Sequence, residues 1–330
     1  MVTTWGSAGN NLDSGNNLDS GGRRCRGLIA APFTPFTASG ELSLAPVPAY
    51  ADFLVAQGVK GVFVGGTTGE SLLLTMEERE ALLEAWQEAA GGRLAVIAHV
   101  GHTSINDAVR LAAHARRLGV SAIGAMPPVF FKPSSVERLV ETCAVIAAAA
   151  PDLPFYYYHI PSMTGVGFSM YDFLTAAAER LPSLGGIKFT YEDLADYSRC
   201  VRFAGGRYQI FFGRDEILLA GLAMGAEAAV GSTYNHMASL YYTIIQKFKS
   251  GEMTEARQLQ SIAVDCIAVF ARYGGLRAQK ALMKVLGIDC GPTRLPLAPL
   301  SAEEVEAMCR ELKVAGYYTI TEMAAGSRGR

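Results

Sequence analysis

No apolar run in this 330-residue chain comes near the roughly 18 to 20 residues that a bilayer-crossing helix needs. The longest, Cys143 to Ala150, is far too short. The opening stretch MVTTWGSAGNNLDSGNNLDSGGRR has no apolar segment of signal-peptide length, and Val2 stands where N-myristoylation requires glycine. A soluble, cytoplasmic protein is expected. None of the six cysteines (Cys25, Cys143, Cys200, Cys266, Cys290, Cys309) belongs to a CxxC pair, so they read as reduced thiols without a disulfide frame, a zinc site or redox chemistry. Charge of one sign is missing too. Twenty-nine basic and 31 acidic residues leave a net charge of −2 with no Lys/Arg cluster that could track a phosphate backbone or an anionic membrane. Nucleic acid and anionic membranes are therefore poor candidates for partners, and a small molecule is a better one. GxGxxG after the first strand-like run and GxxxxGK[ST] are both absent, which argues against dinucleotide and nucleoside triphosphate ligands.

What is present is apolar material. Half of the residues are hydrophobic, 18% are charged and the mean hydropathy is +0.20, enough for a large core. The length suits one large α/β barrel with an appendage, or two average domains. Asn10 to Gly21 repeats NNLDSG twice, a turn-rich composition that cannot bury a core, and residues 1–24 are expected to form a disordered tail. From Gly27 onward eight short apolar runs follow: GLIAAPF, GVFVGG, LAVIAHVG, SAIGAMPP, LPFYYY, LGGIKF, YQIFFG and EAAVGS. They rarely alternate with polar residues, as strands covered on both faces should not. Helical periodicity separates them, at Thr75 to Ala90, Ser104 to Leu118, Ser134 to Ala149, Tyr171 to Arg180 and Asp215 to Met224. Strand and helix alternating eight times predicts parallel strands, hence a (β/α)8 TIM barrel over residues 25–250, with a doubly wound open sheet as the alternative. After Gly251 only helical patterns appear (Met253 to Arg272, Leu276 to Val285, Ser301 to Leu312), so residues 251–330 read as a C-terminal helical extension.

Barrel chemistry sits at the carboxyl ends of the strands, and polar residues at those points are the candidates. Lys188, between Ile187 and Phe189, would aim its amine into the barrel mouth, where burial lowers a lysine's affinity for its proton and frees a nucleophile. A buried ion pair is the competing explanation. Thr67 and Thr68, set among Gly65, Gly66 and Gly69, form a loop able to bind a small anion, or simply cap the next helix. In the run Tyr156–Tyr158 alternate side chains take opposite faces, so Tyr156 and Tyr158 share one; a phenol in the mouth can shuttle a proton or merely pack. Asp215 and Glu216 suit either substrate hydroxyls or the first turn of a helix. His99 and His102 lack a third ligand at metal-site spacing, His114 reads as a helix-surface residue, and His159 either touches substrate or orients its loop.

Four segments, GTTGE (Gly66 to Glu70), YHIP (Tyr158 to Pro161) followed by Thr164 and Gly165, GIKFT (Gly186 to Thr190) and GSTYN (Gly231 to Asn235), occur in an order that resembles the pyruvate-dependent class I aldolases, the family of dihydrodipicolinate synthase and N-acetylneuraminate lyase. The resemblance runs from Gly27 to Leu312. With YYYHIP, VGSTYN and GPTRLPL (Gly291 to Leu297), the pattern is most similar to the animal branch acting on sialic acid. It implies a Schiff base between Lys188 and the keto carbon of N-acetylneuraminate, proton transfer by Tyr158, and release of N-acetylmannosamine and pyruvate. It further implies that Thr67 and Thr68 hold the carboxylate, and that Thr190, Gly213, Asp215, Glu216 and Ser232 contact the sugar. Neither metal nor cofactor is implied, and a homotetramer is. Met163 stands where dihydrodipicolinate synthases place an arginine for a second carboxylate. Phe130 or Phe131 replaces a tyrosine that bacterial relatives extend into a neighbouring subunit's site. Another 2-keto acid as substrate, or a non-catalytic sugar- or pyruvate-binding barrel, are the alternatives.

Overall fold

The computed structural model describes residues 24–318; the NNLDSG repeat and residues 1–23 of the expected tail lie outside them. Eight strands form one closed parallel barrel: β1 (Gly27–Ala30), β2 (Gly61–Val64), β3 (Ala95–His99), β4 (Ala122–Ala125), β5 (Phe155–His159), β6 (Leu184–Phe189), β7 (Gln209–Phe212) and β8 (Ala228–Gly231). Closure comes from β1 pairing with β8, where Ala30 lies opposite Gly231. Each strand sits at a predicted apolar run, as expected for strands covered on both faces.

Around the barrel run α1 (Val47–Ala56), α2 (Met76–Ala90), α3 (Ile105–Arg117), α4 (Val136–Ala147), the single turn α5 (Pro161–Thr164), α6 (Met170–Ala177), α7 (Leu194–Arg202), α8 (Leu218–Ala223) and α9 (Ala238–Lys249). Five of their starts follow side-chain chemistry. Ser104, Ser135, Ser169 and Asp193 each accept a backbone N–H three residues on, and Thr75 forms a reciprocal capping box with Glu78. Beyond the barrel lie α10 (Met253–Arg272), α11 (Leu276–Val285) and α12 (Ala302–Val314), with Ser301 and Glu304 boxing the last.

Two cores result from the strand alternation. Ile29, Phe63, Ile97, Tyr156, Tyr158, Phe211 and Val230 fill the barrel interior, whereas Tyr157 points outward onto Phe173 of α6, ring centroids 4.7 Å apart. Strands β6 and β7 approach closely at Gly186, where a Cβ would fall 1.8 Å from the Gln209 carbonyl oxygen. That contact fixes β6 two residues before Lys188. One expectation is corrected here: His114 is buried, not on the helix surface. Its face of α3 packs on α2, where Nε2 meets the Glu84 carboxylate at 2.9 Å.

Candidate functional site

Lys188 is the fifth residue of β6, in register with Tyr158 on β5 and Phe211 on β7, so its side chain shares the barrel interior with theirs. Phe63, from β2, completes the surroundings. Nζ lies 3.8 Å from the centre of the Tyr158 ring and 4.0 Å from that of Phe63. Removal from water disfavours the ammonium and brings the lysine down to about 7, against the pull of the Asp215 carboxylate. No carboxylate forms a salt bridge with Lys188 among the described residues, so the buried ion pair is not what this lysine makes.

Tyr158 offers its phenol to the Thr67 hydroxyl, 3.2 Å away. Burial pushes the phenol up to about 12, opposed by the hydroxyls of Thr67 and Thr190. Thr67 and Thr68 follow β2 in a tight turn, with the Glu70 N–H donating to the Thr67 carbonyl at 3.0 Å. Neither threonine caps the following helix; Thr75 does that. The Gly69 carbonyl accepts from the buried Thr34 hydroxyl at 2.6 Å, which anchors the turn to the segment after β1.

Asp215 opens a 3-10 turn after β7 and is almost wholly buried. Its Oδ2 accepts from both the backbone N–H and the hydroxyl of Thr233, at 3.0 and 2.6 Å. Burial raises its carboxyl to about 6, with Glu216 adding to the rise and the Thr233 bonds and Lys188 opposing it. The Asp215 carboxylate lies against Gly231, where a Cβ would come within 1.9 Å of Oδ1. The GSTYN segment thus has four separate duties: Gly231 makes room, Ser232 faces the cavity, Thr233 holds Asp215, and Asn235 donates to the Ala31 and Ser232 carbonyls at 2.7 Å each.

All nine residues singled out in the sequence, Lys188, Tyr158, Thr67, Thr68, Thr190, Gly213, Asp215, Glu216 and Ser232, line one cavity of about 190 Å³ at the carboxyl ends of the strands. His159 does not reach it. It lies on the outward face of β5 among Tyr157, Phe189 and Tyr191, and burial pulls it down to about 4. Met163 faces a second, apolar cleft on the other side of Thr67, so it does not contact the Lys188 cavity. Phe130 and Phe131 stand on the surface, 76% and 84% exposed.

Several wall residues escaped the sequence reading. Gln279 of α11 and Ile267 of α10 bring the C-terminal helices into the cavity, and Arg214 lies beside Glu216. Gln260 of α10 is placed behind it, donating to the carbonyls of Asp215 and Glu216 at 3.1 and 2.9 Å while accepting the Leu219 N–H at 3.0 Å. Their positions depend on how α10 and α11 fold back on the barrel, which local sequence does not encode. Arg214 alone had a signal, its place between Gly213 and Asp215.

Comparison with known proteins gives a consistent picture. N-acetylneuraminate lyase A of Xenopus laevis is 43% identical over 280 residues, 84% of this chain and 92% of that protein. The human N-acetylneuraminate lyase is 37% identical over 310 residues, 92% of this chain and 97% of that one. The solved structure of Proteus mirabilis N-acetylneuraminate lyase superposes with a TM-score of 0.87 at 44% identity, covering 89% of this chain and 99% of its own. The model of the dihydrodipicolinate synthetase family matches residues 24–315, and with the closed barrel and its lysine in place, the chain belongs to that family.

Proposed function

We propose that the chain is a Schiff-base aldolase that cleaves N-acetylneuraminate to pyruvate and N-acetylmannosamine. The observation that carries the reading is a lysine buried against two aromatic rings, held near 7 and paired across the sheet with a phenol hydrogen-bonded to Thr67. At neutral pH about half of such a lysine is free amine, against less than about one part in a thousand for an ordinary one.

In this mechanism the Lys188 amine attacks the C2 keto carbon, one proton is taken up from solvent and water leaves, giving a protonated imine. The C4 hydroxyl then loses its proton as the C3–C4 bond breaks. The bond's electrons pass into the iminium and form an enamine, and the C4 carbon departs as the aldehyde of N-acetylmannosamine. Protonation at C3 and hydrolysis return pyruvate and the free lysine. Tyr158, protonated at rest, relays: it takes the C4 proton while passing its own to the substrate carboxylate. Thr67 and Thr68 hold that carboxylate, and Thr67 also orients the phenol. Thr190, the Gly213 backbone, Asp215, Glu216 and Ser232 face the hydroxyls and acetamido group, a polar set suited to a polyol. A dicarboxylate fits less well, since the guanidinium in the wall, Arg214, is already neutralised by Glu192 and Glu216.

The test is incubation of the purified protein with N-acetylneuraminate, following pyruvate and N-acetylmannosamine together, with Lys188→Ala as control. Equal amounts of both products, lost in the control, are expected. Absence of both while borohydride still traps pyruvate on Lys188 would keep the aldolase class and overturn the substrate. A homotetrameric, cytoplasmic enzyme completes the proposal, supported by the exposed phenylalanine pair and by the absence, among the described residues, of a helix long and apolar enough to cross a membrane.

A further inference from the structure

Glu70 is the last residue of the GTTGE segment, three positions after Thr67, and its side chain is completely buried. Its backbone takes the left-handed conformation, φ 55° and ψ 33°, which residues with a side chain rarely adopt unless their surroundings impose it. The surroundings come from the far end of the chain. Oε1 accepts from Nζ of Lys280 on α11 at 2.7 Å, and Lys280 is itself 1% exposed. Oε2 accepts from the Arg294 N–H at 2.9 Å. Lys280 also lies over the Phe36 ring, 4.2 Å from its centre, with the Arg294 guanidinium at the same distance. Arg294 then donates to the Leu73 carbonyl at 2.9 Å and pairs with Glu78, so both flanks of the turn are held by the segment between α11 and α12.

A buried ion pair is a weak source of stability, because desolvating two charges offsets most of their attraction. Its geometric effect is definite. The Glu70 N–H closes the turn on the Thr67 carbonyl, so wherever the carboxylate is anchored, the two threonine hydroxyls are oriented with it. We propose that the Glu70–Lys280 ion pair is a positioning device for the keto-acid carboxylate: through it the helical extension holds Thr67 and Thr68 in place beside Lys188. The proposal rests on the Schiff-base aldolase reading. Neither residue contacts the reacting atoms; both act through the threonines.

The experiment measures borohydride trapping of pyruvate on Lys188 as a function of pyruvate concentration, in the full chain, at a temperature where circular dichroism shows every protein folded. The variants are Glu70→Gln and the double variant Glu70→Gln with Lys280→Met, which leaves no unpaired buried charge and so guards against failure to fold. The half-saturating pyruvate concentration is expected to rise at least about tenfold in each variant that folds, with the maximal yield of trapped lysine unchanged. A merely structural pair would lower the melting temperature and leave that concentration alone. Half-saturation within about twofold of the parent overturns the positioning role. If the parent itself traps no pyruvate, the aldolase reading falls and takes this inference with it, an outcome distinct from the previous one.

Discussion

Lys188 is held between two opposing influences. Burial beside Phe63 and Tyr158 favours the neutral amine, and the Asp215 carboxylate favours the ammonium. The balance near 7 sets a pH dependence with a definite sign. Below pH 7 the amine is increasingly protonated, so the rate of imine formation at limiting pyruvate falls about tenfold per pH unit. Tyr158, near 12, keeps its proton throughout and adds no limb in that range. Replacing Asp215 by Asn removes the charge that supports the ammonium, which lowers the lysine further. The acid limb then moves to lower pH, by about half a unit to one unit. Stopped-flow trapping with pyruvate reads this without involving the sugar contacts. A limb that stays put or moves to higher pH would show that Asp215 does not act on the lysine electrostatically.

At the scale of elements, the loops that face the cavity are held from outside the barrel. Gln260 reaches from α10 to satisfy the carbonyls of Asp215 and Glu216 in their 3-10 turn and the Leu219 N–H of α8. Gln260→Leu keeps the volume and leaves those three groups unpaired, costing about 1 to 3 kcal/mol in thermal or denaturant unfolding. Its functional signature should be a higher KM for N-acetylneuraminate with an unchanged pyruvate half-saturation, whereas the Glu70 variants raise the pyruvate half-saturation. Such long-range supports mark the limit of what sequence reveals. The strands were legible because a parallel strand covered on both faces is an unbroken apolar run, and residues at their carboxyl ends could be named from that alone. Thr67, Lys188 and Asp215 were found in this way. Gln260, Gln279 and Lys280 were not, since a polar residue on an amphipathic helix looks like any solvated one until its partner, 210 residues away for Lys280, is known. His114 was misjudged for the same reason, because the neighbour that buries it is α2.

For the molecule as a whole, the two exposed phenylalanines are the clearest departure from an ordinary surface. Phe130 and Phe131 pack edge to face, 4.9 Å between centroids, and Phe131 lines a surface groove with Ile105, Pro128 and Val145. Apolar surface of this kind is covered when a second copy docks. A tetramer is expected in analytical ultracentrifugation, and Phe130→Asp with Phe131→Asp should shift it towards smaller species; an unchanged mass would place the subunit contact elsewhere. The distance in sequence between Glu70 and its partners has a consequence for synthesis. On a ribosome the chain emerges from its amino end, and all eight strands are available before Lys280 and Arg294 have left the tunnel. The barrel can therefore close around Lys188 while the threonine turn still lacks its anchor. On the proposed positioning role, competence arrives with the last quarter of the polypeptide, and a truncated or stalled product would carry the Lys188 amine without the grip that selects its substrate.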